Sequence, residues 1–184
     1  DVARVVIDSR RVRPGDGFCA VAGHQADGHR FIDNALAAGA SAIIAQHSVE
    51  SGDVPLVVLE DTRAALAHLA HRCLGNPADA LTVIAVTGTN GKTTTCHLLE
   101  SILRSADRTV GVLGTIEYRI GDRRIETGAS HVTTPGADEL AELFAAMRDA
   151  GATDVVMEAS SHALHQGRVE GIDFDAAIFT NFSG

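Results

Sequence analysis

The segment Thr82-Val-Ile-Ala-Val-Thr-Gly-Thr-Asn-Gly-Lys-Thr-Thr-Thr95 constrains this chain more than any other, because an apolar strand-forming run feeds a glycine-bearing turn that ends in Lys-Thr and passes into a helix. Gly88 and Gly91 let the backbone curl so that successive N–H groups, and the N-terminus of the following helix, face one anionic group. Lys92 adds a full positive charge there, and Thr93 stands where P-loop proteins use a Ser or Thr to hold Mg²⁺ against phosphates. The spacing Gly-Thr-Asn-Gly-Lys-Thr is two residues shorter than Gly-x-x-x-x-Gly-Lys-Thr, and Val86 takes the place of the outer glycine. This is a variant P-loop, and it predicts binding of ATP or a close relative through Gly88, Thr89, Asn90, Gly91, Lys92, Thr93 and Thr94. The plainer reading is a strand, turn and helix with an incidental lysine.

Composition narrows the partners. The formal charge is −9 with 15 basic residues and one tyrosine, so a nucleic-acid groove, which needs clustered Lys/Arg and stacking aromatics, is not expected. Small anionic substrates are then met by local donors. Cys19, Cys73 and Cys96 are odd in number and lack C-x-x-C spacing, which argues against a disulfide framework or zinc site and fits a reducing cytoplasm. No long apolar run or leader pattern points to a membrane.

The chain reads as α/β, with a small N-terminal α/β domain followed by part of a P-loop-type central domain built on a mostly parallel sheet. Strand patterns occupy residues 3–7, 17–21, 41–45 and 56–59, and helical patterns 29–38 and 62–73. Leu74-Gly-Asn-Pro77 supplies stop and turn residues, which puts the boundary between domains 1–77 and 78–184. Beyond it, residues 81–86, 109–113, 154–157 and 176–179 read as buried strands, alternating with helices at 93–104 and 138–150. Residues 115–127, with the turn Ile120-Gly-Asp-Arg123, read as an inserted hairpin.

A further set of segments accompanies the P-loop in order: Asp8-Ser-Arg10, Pro14-Gly-Asp16, Gly23-His-Gln-Ala-Asp-Gly28, Thr133-Thr-Pro135, Met157-Glu-Ala-Ser-Ser-His162 and Phe179-Thr-Asn181. With these the chain resembles the Mur ligases, ATP-dependent amide-forming enzymes of peptidoglycan synthesis. It is most similar to the branch that adds a diamino acid to UDP-MurNAc-L-Ala-D-Glu. The resemblance implies that Ser9, His24, Gln25 and Ala26 hold the UDP end of the nucleotide sugar. Taken alone, Ser9 serves equally as a turn cap and the His-Gln-Ala-Asp-Gly run as a solvated loop.

Pro135 restricts Thr134 to extended geometry, which is expected to present the hydroxyls and amides of Thr133 and Thr134 outward. The resemblance makes this pair a contact for the muramoyl peptide; otherwise it is a helix-entry turn. Val132 stands where some relatives carry asparagine, so that contact is either lost or taken by His131. Glu158 ends a buried strand on the edge where open α/β sheets bind ligands. The resemblance gives it a Mg²⁺ ion, although a strand-end glutamate is equally a satisfied structural carboxylate. Ser160, Gln166 and Arg168 match positions that contact the acyl end of the substrate, and Arg168 read alone is a surface arginine. His162 and His165 lack the further ligand a metal site requires.

The implied chemistry is carboxylate activation, with Lys92 and Glu158 as the catalytic pair, and ATP and Mg²⁺ as cofactors. The terminal carboxylate of the dipeptide attacks the γ-phosphate, and an amine, from meso-diaminopimelate or lysine, then displaces phosphate. Relatives continue past the Thr180-to-Gly184 end into a further half-domain and a C-terminal domain. The resemblance therefore implies a chain that does not ligate alone and that, with an uncovered strand edge, is marginally stable or associates with itself. A non-catalytic nucleotide or UDP-sugar binding module, another Mur ligase and a generic P-loop ATPase are the alternatives.

Overall fold

The computed structural model describes residues 2–23, 26–125 and 132–183, and the chain divides into two compact units, Asp1–Gly75 and Asn76–Gly184. In the first unit, short strands β1 (Val5–Val6), β2 (Gly17–Cys19), β3 (Ala42–Ala45) and β4 (Leu56–Val58) form a parallel sheet in the order β1-β2-β3-β4. The first strand is two residues long, shorter than the apolar run suggests, and is followed by a 3-10 turn at Ser9–Arg11 that Asp8 caps; Arg4, just before the strand, pairs with the buried Asp16 carboxylate at 2.9 Å. The helix expected over 29–38 likewise starts as a 3-10 turn (Gly28–Phe31), N-capped by Asp27, before α1 (Ile32–Ala37). Helix α2 (Thr62–Cys73) is capped by Asp61, which accepts from the N–H groups of Arg63 and Ala64. The Thr62 hydroxyl donates to Ala20 O at 2.8 Å and anchors that helix to the chain leaving β2. Val6, Phe18, Ile32, Ala35 and Ile43 make this unit's core.

The second unit carries a six-stranded sheet in the order β10-β5-β9-β6-β7-β8. Its strands are β5 (Thr82–Thr87), β6 (Val110–Leu113), β7 (Tyr118–Ile120), β8 (Arg123–Arg124), β9 (Asp154–Glu158) and β10 (Ala176–Phe179). The first four in that order are mutually parallel, and β7 and β8 are antiparallel additions. The hairpin turns at Gly121-Asp122, where Gly121 takes φ +52°, a conformation that favours glycine. The hairpin residues 126 and 127 lie outside the described residues.

Period-2 alternation sorts the sheet's side chains. Val83, Ala85, Leu113, Val155 and Met157 pack with Leu140, Leu143, Phe144 and Met147 of α4 (Ala137–Asp149). Val86, Val110, Val112 and Val156 pack on the other face with Cys96 of α3 (Lys92–Ser105). Gly111 allows α4 its close approach, since a Cβ there would lie 2.5 Å from the Met147 sulfur. Glu100 of α3 is buried against Arg119 of β7, which ties the helix after the glycine turn to the hairpin side of the sheet. Among the described residues no helix is long and apolar enough to cross a membrane.

Candidate functional site

Strand β5 delivers the chain to the carboxyl edge of the second sheet, where it turns at Gly88 (φ +130°) and Gly91 (φ +84°) before α3 starts at Lys92. At Gly88 a Cβ would meet Thr180 Oγ1 at 2.2 Å, so the turn needs glycine for space as well as for its dihedral. The loop is held from β10. Thr89 N–H donates to Asn181 O at 3.0 Å, Thr180 Oγ1 to Asn90 O at 2.7 Å and Asn181 Nδ2 to Asn90 O at 3.0 Å. Gly91, the helix N-cap, has no capping side chain, so α3 directs unsatisfied N–H groups toward the loop. Lys92 Nζ arches back to Gly88 O at 2.7 Å and Thr89 O at 3.2 Å, which gathers its charge over the turn. Thr94 is exposed one residue beyond Thr93.

Glu158 ends the neighbouring strand β9 and is 1% exposed. Its Oε1 accepts from the Thr93 hydroxyl at 2.9 Å and from Thr115 N–H at 2.9 Å, and its Oε2 from the Thr115 hydroxyl at 3.0 Å. Lys92, Thr93 and Glu158 thus meet at one edge. The donor set fits Mg²⁺. Two hard oxygens, Thr93 Oγ1 and Glu158 Oε1, stand 2.9 Å apart, about the separation of adjacent ligands in an octahedron with metal–oxygen distances of about 2.0–2.1 Å. Among the described residues no group of three His, Cys, Asp or Glu could hold a metal, and Mg²⁺ bound with phosphates and waters asks for only one or two protein ligands. Cys96, one turn into α3, has its thiol pushed up to about 12 by burial and by the Glu158 charge, against the opposing pull of Lys92, and stays a packing group.

Thr133 and Thr134 behave differently from each other. Thr133 is half-buried with its hydroxyl 3.0 Å from that of Thr115. The expectation of an outward hydroxyl fails at Thr134, which is 1% exposed: its hydroxyl donates to Glu158 O at 2.9 Å and accepts from Ser160 N–H at 3.0 Å. It staples the Thr-Thr-Pro segment to the end of β9. Ser160 caps the short helix α5 (Ser161–His165), accepting from Ala163 N–H. Arg168 donates through Nε to Gln166 Oε1 at 2.9 Å and through Nη1 to Thr134 O at 2.8 Å, so Thr134, Ser160, Gln166 and Arg168 form one cluster beside Glu158. His131 lies outside the described residues. Thr115 escaped the sequence reading; its one signal is a polar residue directly after the buried strand β6 and Gly114.

The first unit carries a cavity of about 680 Å³ lined by Ser9, Arg10, Ala26, Phe31 and Arg63 among others. Ser9 is not the turn's cap; Asp8 is, accepting from Arg10 N–H, and the Arg10 guanidinium beside Asp8 holds that carboxyl below its usual range. Gly23 N–H donates to Ala26 O at 3.0 Å, closing the loop that forms one wall, and Arg63 Nη2 donates to Ala22 O at 2.8 Å at its rim. His24 and Gln25 lie outside the described residues. The cavity pairs an apolar wall with a few polar groups, as a site for a ring-bearing ligand requires.

Comparison with known proteins gives the following. Residues 86–184 match the Mur ligase middle domain and residues 1–73 the Mur ligase family catalytic domain. The whole chain aligns at 46% identity with 37% of the UDP-N-acetylmuramoyl-L-alanyl-D-glutamate--2,6-diaminopimelate ligase of Geobacillus thermodenitrificans, and at 43% with 36% of that of Listeria monocytogenes. A solved structure of a 2,6-diaminopimelate ligase of the same description superposes on 99% of this chain and 37% of its own, with TM-score 0.83 and 34% identity. The MurF ligase from Thermotoga maritima, in complex with ADP, superposes on 97% of this chain and 37% of its own, with TM-score 0.67 and 30% identity. The chain therefore spans little more than a third of the relatives it matches.

Proposed function

Because the chain belongs to the Mur ligase family, we propose that it supplies the nucleotide-sugar domain, residues 1–77, and the ATP-binding part, from residue 78, of a cytoplasmic ligase of peptidoglycan synthesis. The reaction joins a diamino acid to UDP-MurNAc-L-Ala-D-Glu at the expense of ATP. Diaminopimelate is the favoured amine, since the relatives at 43–46% identity are named for it. The observation that carries the reading is the convergence of Lys92, Thr93 and Glu158 at one sheet edge, with the Thr133–Arg168 cluster beside it.

The chemistry asks two anions to meet. The substrate carboxylate attacks the γ-phosphorus of ATP; the P–O bond to ADP breaks and an acyl phosphate forms. The amine then attacks the acyl carbon and phosphate leaves. No side chain need become a nucleophile, so the chain contributes positioning and charge neutralisation. The N–H groups of Gly88, Gly91 and the start of α3 cradle phosphate oxygens, those of Thr89 and Asn90 being held by Asn181, and Lys92 swings its ammonium from Gly88 O onto them. Thr93 and Glu158 would hold Mg²⁺, which supplies charge stabilisation to the phosphates when bound. Thr133, Ser160, Gln166 and Arg168 hold the acyl end, Thr134 contributing through its backbone. Ser9 and Ala26, which line the first unit's cavity, hold the uridine diphosphate, and His24 and Gln25 are assigned to the same ligand by sequence alone.

The test is a coupled assay of ADP release by the intact protein. Turnover requires both UDP-MurNAc-L-Ala-D-Glu and diaminopimelate. ATP hydrolysis that proceeds equally without the nucleotide sugar contradicts the reading and returns the protein to a generic ATPase.

A further inference from the structure

Thr115 grips both oxygens of the Glu158 carboxylate. Its backbone N–H donates to Oε1 at 2.9 Å and its hydroxyl donates to Oε2 at 3.0 Å. Two donors from one residue fix the carboxylate plane as well as its position, and plane and position decide where a lone pair is aimed. The adjoining Gly114 gives independent support: a Cβ there would lie 2.5 Å from Glu158 Oε1, so the carboxylate rests against bare backbone and its seat requires a glycine followed by a donor.

The proton chain has a forced direction. The Thr115 hydroxyl has a single proton, and it goes to Glu158 Oε2. The Thr133 hydroxyl, 3.0 Å away, therefore donates to Thr115 Oγ1. Thr133 O–H to Thr115 O–H to Glu158 thus links the expected substrate face to the expected metal carboxylate through one side chain. Thr93 donates to the same Oε1 from the other side, on the helix that carries Lys92.

We infer that Thr115 is a positioning residue that holds the Glu158 carboxylate in the orientation that accepts Mg²⁺, an inference that rests on the reading of Glu158 as the magnesium ligand. Partners of this kind, which hydrogen-bond a metal ligand, are typically worth about 10–100-fold in metal affinity. Thr115→Val keeps the side chain's shape and its backbone N–H but removes the bond to Oε2, and Thr115→Ser restores a hydroxyl.

The experiment is calorimetric titration of the intact protein with ADP over a series of Mg²⁺ concentrations, with circular dichroism to verify folding of each variant. The inference expects Thr115→Val to raise the half-saturating Mg²⁺ by about 10–100-fold, to leave ADP affinity without Mg²⁺ within about twofold, and Thr115→Ser to recover to within about threefold of the unsubstituted protein. A Thr115→Val titration that matches the unsubstituted protein overturns it. So does equal loss of ADP affinity with and without Mg²⁺ in both variants, the signature of a merely structural residue. ADP binding by the unsubstituted protein that ignores Mg²⁺ removes the premise itself, an outcome distinct from failure at Thr115 alone.

Discussion

The two units build their sites by opposite means. In the second, the groups that matter are buried and committed: Glu158 is 1% exposed with three donors on its carboxylate, and Thr134 is spent on both sides. In the first, the cavity is walled by a loop and half-exposed groups such as Phe31 and Ile7, with ion pairs such as Asp8–Arg10 that lie in solvent. The difference suits the two tasks proposed for the units. Phosphoryl transfer needs charges fixed before the reaction, because reorganising them during it is costly. Holding a nucleotide sugar needs shape and a few donors, and its groups gain little from being locked.

The difference is broken first at Lys92. Lys92→Ala is expected to reduce ADP release by the intact protein about 10²–10³-fold, while affinity for UDP-MurNAc-L-Ala-D-Glu changes less than about twofold. Equal losses in both would mean that the sites are not separable. In the first unit the committed groups are structural. Asp16 is buried and accepts from Arg4 and from Arg13 N–H, so Asp16→Ala should lower stability by about 3 kcal/mol, read by hydrogen exchange in β1 and β2.

At the second site, Glu158→Gln places an amide where three donors converge. It is expected to cost about 1–3 kcal/mol in urea unfolding, whereas a change near zero would show that the carboxylate is not held as described. Ser9→Ala, at the open site, should weaken nucleotide-sugar binding by about 1 kcal/mol without altering the unfolding midpoint. The smallest effect is chemical. With its thiol pushed up to about 12, Cys96 is almost wholly protonated at pH 8, so iodoacetamide should label the half-buried Cys73 first. Labelling of Cys96 first would place it in a more open environment.

The parts legible in the sequence are those set by local pattern. The glycine turn, its lysine and the flanking strand and helix are contiguous from Thr82 to Ser105, and alternation marks the buried strands. Glu158 was visible because a charged residue closes an apolar run. Thr115 was not, and Thr134, although named, was expected to face outward, since both roles depend on which strand lies beside which. Thr134 turns inward only because β9 ends next to it, and Thr115 reaches Glu158 only because β6 and β9 are neighbours. Local chemistry also shortened elements: the Asp8-capped 3-10 turn at Ser9–Arg11 follows closely on β1, and Asp27 starts a 3-10 turn where the apolar spacing alone gives α-helix.

The central claim, two separable sites for two ligands of one ligase, is tested most directly by calorimetric titration of the protein with UDP-MurNAc-L-Ala-D-Glu and, separately, with ADP and Mg²⁺. The account predicts that Ser9→Ala weakens the first titration and spares the second, and that Lys92→Ala does the reverse. Loss of both ligands in either variant, or nucleotide-sugar binding that Lys92→Ala abolishes and Ser9→Ala leaves untouched, would contradict it.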